Sequence, residues 1–451
     1  QGAYREPVVV YMKKCPQTIA AFFGVIYAGC YYVPIDEEMP RRRMQLILEN
    51  TDANYLIYDE STKDKIAALG FEGTALPYET CSKTEMDEEV LAKIREGALD
   101  IDPIYVLFTS GSTGVPKGVV GYHRGVIDYI ESLSEVLGFN ESTVFGNQTP
   151  LYLDACMKEI YPTLKYGATT WLIPKSCFMF PVKLVEFLND HEINTICWVV
   201  SALTMISAFG TFDTVTPKYL HTIAFGSEVF PVKQFNLYGP TEATGMSCYY
   251  HATHVFEEKE VIPIGRPFKN TQILLLNEQG EPVKDGETGE ICIHGTCLTH
   301  GYYNNPEKTA EVFTQNPLNP YFPDRIYHTG DLGRKNEAGD LIFVSRKDYQ
   351  IKHMGHRIEL GEIESDVDLI EGIKTCCCIF IQETKKIVLF YVGDIDKRAL
   401  TVELKERLPR YMIPNAIVRL ETLPLTPNGK MDRLKMQEIY AAQKRRSVKR
   451  S

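Results

Sequence analysis

Two hydrophobic periods alternate along the first 260 residues. Residues 44–50 (MQLILEN) carry apolar side chains at helical spacing, while residues 53–58 (ANYLIY) make a short apolar run that predicts a strand. Residues 104–108 predict another strand, running straight into a glycine-rich turn. Residues 167–174 and 193–200 are further apolar strands, each preceded by a helical pattern at 159–165 or 181–191. This alternation is the signature of a parallel α/β sheet. Residues 18–35 carry no charge and are nearly long enough to cross a bilayer. Gly24, Gly29 and Pro34 interrupt them, and residues 31–35 (YYVPI) have strand character. A buried helix entering a buried strand is expected there, with no membrane insertion.

Beyond residue 260 the texture changes. Residues 271–276, 289–293 and 340–344 are short strands split by turns at 278–281 and 284–287, a β-rich pattern of hairpins. After Arg346 it changes again: helix at 362–369, a strand pair at 376–382 and 386–392, and helix at 397–408. The expected fold is α/β: a large N-terminal core over 1–347, with parallel sheets in 1–259 and a small β-rich subdomain in 260–347. A small, mobile α+β lid follows over 348–451. Its basic end, 443–451, is expected to be solvated and disordered.

The chain has 451 residues, too many for one hydrophobic core, and its 44% hydrophobic and 24% charged content is that of a globular protein. A net charge of −11 and a pI near 5.5 exclude nucleic-acid binding as the main purpose. The 12 cysteines are scattered, three are consecutive at 376–378, and no CxxC occurs. Zinc-type spacing and a disulfide framework are therefore absent, and a cytoplasmic, reducing setting without a secretory leader is expected.

The strongest local signal follows the strand at 104–108. Thr109, Ser110, Gly111, Ser112, Thr113 and Gly114 are six small residues in a row, followed by Lys117. Two glycines admit an anion close to the backbone, four hydroxyls donate to it, and the lysine adds charge, which makes a phosphate cradle. No Gly-Lys-Ser/Thr follows, so it is not a Walker A loop. Asn236-Leu-Tyr-Gly-Pro-Thr-Glu242 joins an aromatic for stacking, a tight turn and a carboxylate able to hold Mg²⁺ beside phosphates. Tyr327-His-Thr-Gly-Asp331 sets an acid at a turn, residues 346–364 run from Arg346 through Asp348 and Arg357, and residues 425–432 present Lys430 in a Pro/Gly loop.

In order and content these stretches resemble the core motifs of the adenylate-forming superfamily. More narrowly they resemble amino-acid adenylation domains of nonribosomal peptide synthetases and the D-alanine–carrier-protein ligases. Residues 28–36 with Pro40 and Arg43, and residues 289–295 with 301–313, add two more matches. The resemblance implies that ATP and a carboxylate give acyl-AMP and pyrophosphate, after which the lid rotates and a thiol attacks the adenylate. Carried over by position, residues 109–114 and Lys117 hold the β- and γ-phosphates. Tyr238 stacks on adenine with Asn236, Gly239 and Pro240 around it, Thr241 meets the α-phosphate and Glu242 the Mg²⁺. Asp331 takes the ribose hydroxyls with Arg346 nearby, Asp348 is the hinge, Arg357 follows on the lid, and Lys430 bridges carboxylate and α-phosphate. Ser345 and Met354 depart from the usual glycine and arginine at hinge and lid. Family members carry roughly forty more residues before a segment like 8–10, and a further helix and strand between Gln234 and Phe235.

In amino-acid-specific members an aspartate pairs with the substrate ammonium, and Asp154 matches it. The substrate pocket is expected to continue through Ala155, Lys158, Trp198, Ile223, Phe225, Leu237, Gly245 and Met246. An inward Lys158 favours glutamate or aspartate; an outward one, pairing with Glu159, leaves a small apolar pocket. No phosphopantetheine-site or condensation motif occurs, so a carrier protein supplied in trans is the expected acceptor, for an enzyme free-standing or excised from a larger synthetase. D-alanine ligation for teichoic acids and an acyl- or aryl-CoA ligase are the alternatives.

Overall fold

All five residues of Pro7–Tyr11 are buried, as are all five of Tyr31–Ile35. Strands covered on both faces belong in a parallel sheet between helices, and these two pair in parallel, Val9 against Val33. The structure, a computed structural model, describes residues 4–110, 115–226, 235–252, 261–347, 350–425 and 431–448. The chain divides into a larger unit, Gln1–Glu37, Asn50–Phe108 and Gly118–Asp348, and a smaller one, Glu38–Glu49, Thr109–Lys117 and Tyr349–Ser451.

Among the described residues the first sheet runs Thr74–Pro77, Tyr55–Tyr58, Pro7–Tyr11, Tyr31–Ile35, Pro103–Thr109, Lys117–Tyr122. The second runs Arg266–Pro267, Cys248–His251, Phe235–Tyr238, Thr222–Gly226, Thr195–Val199, Val144–Asn147, Thr169–Leu172. Phe235–Tyr238 pairs in parallel with Thr222–Gly226, which pairs in parallel with Thr195–Val199. Helices Pro16–Tyr27, His123–Leu137 and Met157–Tyr166 send Phe22, Val25, Tyr129, Leu133, Met157 and Ile160 into one core shared by both sheets. A third sheet is antiparallel: Thr271–Leu276, Gly289–Gly295, Arg325–Lys335 and Phe313–Gln315, with Leu341–Arg346 against Arg325–Lys335. The α/β class and the change of texture near residue 260 are as the hydrophobic pattern predicts.

Residues 18–35 form the helix Pro16–Tyr27 and the strand Tyr31–Ile35, separated by Gly29 at φ +71. A Cβ there would meet Ile94 and Tyr4 at 2.8 Å, so glycine is required. No described helix is long and apolar enough to cross a membrane. The basic end departs from expectation. Helix Arg433–Val448 runs through most of it, because Ala441-Ala-Gln-Lys444 are strong helix formers that outweigh the solvated charges after them.

In the smaller unit the hairpin Gln350–His353 and His356–Glu359 leads to helix Leu360–Asp368. The sheet Ile373–Ile381, Lys386–Gly393, Ala416–Arg419 follows, with helix Lys397–Arg407. Helix Arg41–Glu49 lies against Lys397–Arg407. Its Arg43 is buried with Glu362 in an ion pair, the two side chains 6% and 2% exposed. His356 stacks on Tyr411 at 3.6 Å, and burial, then the charges of Arg43 and His353, hold its pKa down at about 3. Arg43 is thus the buried cation of this region, and His356 stays neutral. Removing one partner of such a pair strands the other, so Arg43→Ala should destabilise the protein by about 3–5 kcal/mol. Urea unfolding of that variant at wild-type midpoint would show the pair to be dispensable.

Candidate functional site

Strand Phe235–Tyr238 delivers the second motif. Alternation turns Leu237 into the shared core, while the Asn236 amide donates to Pro263 O at 2.8 Å. Tyr238 OH donates to Asp331 Oδ2 at 2.5 Å. Gly239 then opens a turn so tight that a Cβ would lie 2.3 Å from Gly245 O and 2.5 Å from Ser247 N. The turn closes with Ser247 N–H on Tyr238 O at 2.7 Å. Pro240 caps the short helix Thr241–Ala243, which buries Glu242 completely. Tyr302 OH donates to Glu242 Oε1 at 2.8 Å.

Asp331 comes from the third sheet, directly opposite Arg346 in register. The Arg346 guanidinium grips its carboxylate and reaches Thr329 O at 3.3 Å, and the Asp331 N–H donates to Thr329 Oγ1 at 3.0 Å. Tyr238, Asp331 and Arg346 therefore come together across two sheets.

Asp154 begins the short helix Asp154–Cys156, which runs into helix Met157–Tyr166. Part of its surface stays open, yet burial pushes its pKa up, and the Glu242 charge adds to that. The Thr241 hydroxyl, the Lys158 ammonium and the Ala155 N–H oppose the rise. Tyr105 and Tyr129 face the same carboxylate, and the Tyr129 ring lies against Gly245. Lys158 is 3% exposed, and its charge acts on both Asp154 and Glu159. Its neighbour Glu159 is fully buried and accepts from the Asn147 amide, while its other oxygen has no partner. Lys14 donates to Asn147 O and Gln148 O at 3.1 Å each. Burial drives the Glu159 pKa up and that of Lys14 down. Lys158 is therefore not turned to solvent, and both Asp154 and Glu159 feel its charge.

Three residues expected beside Asp154 pack in a different core. Trp198, Ile223 and Phe225 belong to the core on the other face of the second sheet, with Ile173, Leu184 and Leu188. Trp198 Nε1 donates to Gly146 O at 2.6 Å, and its ring packs on Phe178. Side chains alternate along a strand, so a one-residue slip in matching positions transfers a residue to the opposite face. The residues on the Asp154 face are Cys197 and Ala224, which share a core with Cys156, Met157, Tyr129, Leu237 and Met246. Cys197 feels the charges of Glu159 and Lys158. Counting in twos back from Leu237 through the parallel register would have found both.

Other expected residues sit in the smaller unit. The Ser110 hydroxyl donates to Arg357 O at 2.7 Å, Thr109 Oγ1 to Lys117 O at 3.5 Å, and Lys117 Nζ stands 3.9 Å from Glu359 Oε1. Gly111, Ser112, Thr113, Gly114, Asp348 and Lys430 lie outside the described residues.

Residues 2–303 match the AMP-binding enzyme family. Tyrocidine synthase 1 of Brevibacillus parabrevis is 30% identical over 97% of this chain, which spans 41% of that protein's length. A holo four-domain nonribosomal peptide synthetase bound to AMP and glycine is 28% identical, with a TM-score of 0.67 over 96% of this chain and 32% of that one. A holo nonribosomal peptide synthetase protein with adenylation and PCP domains, bound to a vinylsulfonamide inhibitor, is 25% identical, with a TM-score of 0.78 over 96% and 75%. Fold, motif order and relatives define an adenylate-forming ligase of the peptide-synthetase adenylation type. The chain belongs to the AMP-binding enzyme family.

The placement of Phe225, fully buried in the far core, has a direct test. Phe225→Ala should cost about 3–5 kcal/mol of stability as a cavity mutation, read from the urea midpoint at unchanged slope. Wild-type stability would mean that the ring faces an open pocket.

Proposed function

We propose that this enzyme adenylates an acidic amino acid and passes it to the phosphopantetheine thiol of a carrier protein acting in trans, in the cytoplasm. The observation that carries the substrate reading is Lys158, a buried cationic side chain one turn beyond Asp154, whose charge acts on that carboxylate. An amino acid with a second carboxylate satisfies both charges: its ammonium meets Asp154, and its side chain meets Lys158. An apolar amino acid would leave Lys158 with only Asp154 and Glu159 as counter-charges, one of them engaged by the substrate ammonium and the other raised in pKa by burial. Ala155, Cys197, Ala224, Leu237, Gly245 and Met246 supply the rest of the wall. A relative bound to AMP and glycine, and another with adenylation and PCP domains, support the amino-acid and carrier parts of the reading. Twelve unpaired cysteines suit a reducing compartment.

In the first half-reaction a carboxylate oxygen of the amino acid attacks the α-phosphorus of ATP, and the bond to pyrophosphate breaks. Residues 109–114 and Lys117 cradle the phosphates, Thr241 meets the α-phosphate, and Lys430 steadies the charge that develops between carboxylate and α-phosphate. Tyr238, Asn236, Gly239 and Pro240 surround the adenine, and Asp331 with Arg346 takes the ribose. Glu242, a buried carboxylate beside a hydroxyl, offers the hard oxygen donors that fit Mg²⁺. When bound, that ion offsets phosphate charge. In the second half-reaction the thiol sulfur attacks the acyl carbon and AMP leaves, after a rotation about Asp348 that brings another lid face, bearing Arg357, into use.

Amino-acid-dependent ATP–pyrophosphate exchange across the L-amino acids, D-alanine, glycine and several fatty and aryl acids tests the substrate. Glutamate or aspartate should exceed alanine by at least ~10²-fold, corresponding to about 3 kcal/mol of transition-state discrimination. Lys158→Ala should erase that preference. Exchange driven equally by D-alanine or leucine, and unchanged in Lys158→Ala, would refute the acidic substrate while leaving adenylation intact. Lys430→Ala should nearly abolish exchange, since one such donor is worth about 3 kcal/mol or more, yet still transfer acyl groups from a supplied adenylate. Equal loss of both half-reactions would remove Lys430 from its assigned place.

A further inference from the structure

Cys292 and His328 are direct register partners on the antiparallel strands Gly289–Gly295 and Arg325–Lys335. Glu290 stands two residues before Cys292, with a register shift between them. His328 Nδ1 lies 3.4 Å from Cys292 Sγ and 3.0 Å from Glu290 Oε2, and the three donor atoms are all within 4.8 Å of one another. On the far side of the ring, His328 Nε2 meets Thr314 Oγ1 at 3.0 Å. We propose that Glu290, Cys292 and His328 form a Zn²⁺ site on the third sheet, separate from the adenylation machinery.

Around a tetrahedral zinc ion with bonds of about 2.0–2.3 Å, ligand atoms stand roughly 3.3–3.7 Å apart. The sulfur–nitrogen separation already has that value, and the nitrogen–oxygen one needs to open by a few tenths of an ångström. One sulfur, one imidazole nitrogen and one carboxylate oxygen are a set of intermediate softness, suited to zinc and not to magnesium or calcium. A thiolate and a carboxylate balance the double positive charge. Thr314 orients the imidazole from behind, as partners of metal-bound histidines do, and the Gly330 N–H holds the other Glu290 oxygen at 3.1 Å. Three protein ligands leave a fourth position for water or an outside ligand. His328 pairs with Cys292 and Leu332 with Glu290, which puts these four on one face of the sheet and Asp331, next to Leu332, on the other, so occupancy here does not compete with nucleotide.

A hydrogen-bonded His–Glu pair explains the 3.0 Å contact alone. It does not explain why a buried thiol converges on the same ring nitrogen. In the metal-free protein the Lys347 ammonium sits 3.0 Å from Glu290 Oε2, with its side chain 42% exposed. On binding, the S–H bond breaks and a sulfur–zinc bond forms, the proton passing to buffer. Lys347 swings into water, giving up a half-exposed and therefore weak pair.

Co²⁺ added to the chelator-treated full chain is the probe. The expected result is a near-ultraviolet thiolate-to-cobalt band, displaced by Zn²⁺, absent in Cys292→Ser and lost or greatly weakened in His328→Ala. Thr314→Ala should keep the band and weaken binding about 10–100-fold. Lys347→Ala, a surface change that leaves all three ligands in place, should tighten binding several-fold by removing the competing ammonium. Absence of the band in the wild type, its survival in Cys292→Ser, or an affinity in Lys347→Ala no tighter than wild type would overturn the site.

Discussion

A charge enclosed in an apolar core must meet an opposite charge or lose its ionised form, and the core between the first two sheets is arranged around that constraint. Asp154, Lys158 and Glu159 enter it from one helical stretch, and Lys14 and Asn147 reach them from the strand ends. Glu159 has the Asn147 amide on one oxygen, no hydrogen-bond partner on the other, and the charges of Lys158 and Lys14 nearby. Asp154 has the Thr241 hydroxyl and the Ala155 N–H, but also the repulsion of Glu242. The protein therefore holds these groups incompletely compensated, in a segment partly open at Asp154 and tightly packed everywhere else. A polar cluster left short of partners is costly in a folded chain, and the acidic substrate proposed above is of the kind that would relieve it.

Cross-strand register does the positioning elsewhere. Asp331 meets Arg346 because the two strands pair them directly, and Tyr238 reaches the same carboxylate from another sheet. The Gly239 turn folds back so closely that no side chain fits, and this sets Glu242 under Tyr302. Rigid strands place polar groups more exactingly than loops do, because each neighbour's hydrogen bonds constrain the next.

Much of this was legible in the chain. Strand and helix periods marked the parallel sheets, the texture change near residue 260 marked the antiparallel one, and the buried Tyr238 and Asp331 of the 236–242 and 327–331 motifs meet in space. The slip at Trp198, Ile223 and Phe225 arose because, after a leading threonine, those strands carry no polar residue. Strands buried on both faces show no alternation in hydrophobicity, so their sequence does not say which face a residue takes. The helix through the basic end was missed because its charges obscured good local helix formers.

The sequence by itself determined the elements, their order and the chemical types in each motif, since these depend on short-range periodicity and turn chemistry. The tertiary structure alone decided three things: that Lys158 is buried, that Cys197 and Ala224 pack with Cys156 and Met157 while Trp198 and Phe225 pack in the far core, and that Cys292 meets His328 36 residues away. Each of these is a question of which face or which partner. That is answered by long-range pairing between strands and by what is left to cover a side chain once the core has closed.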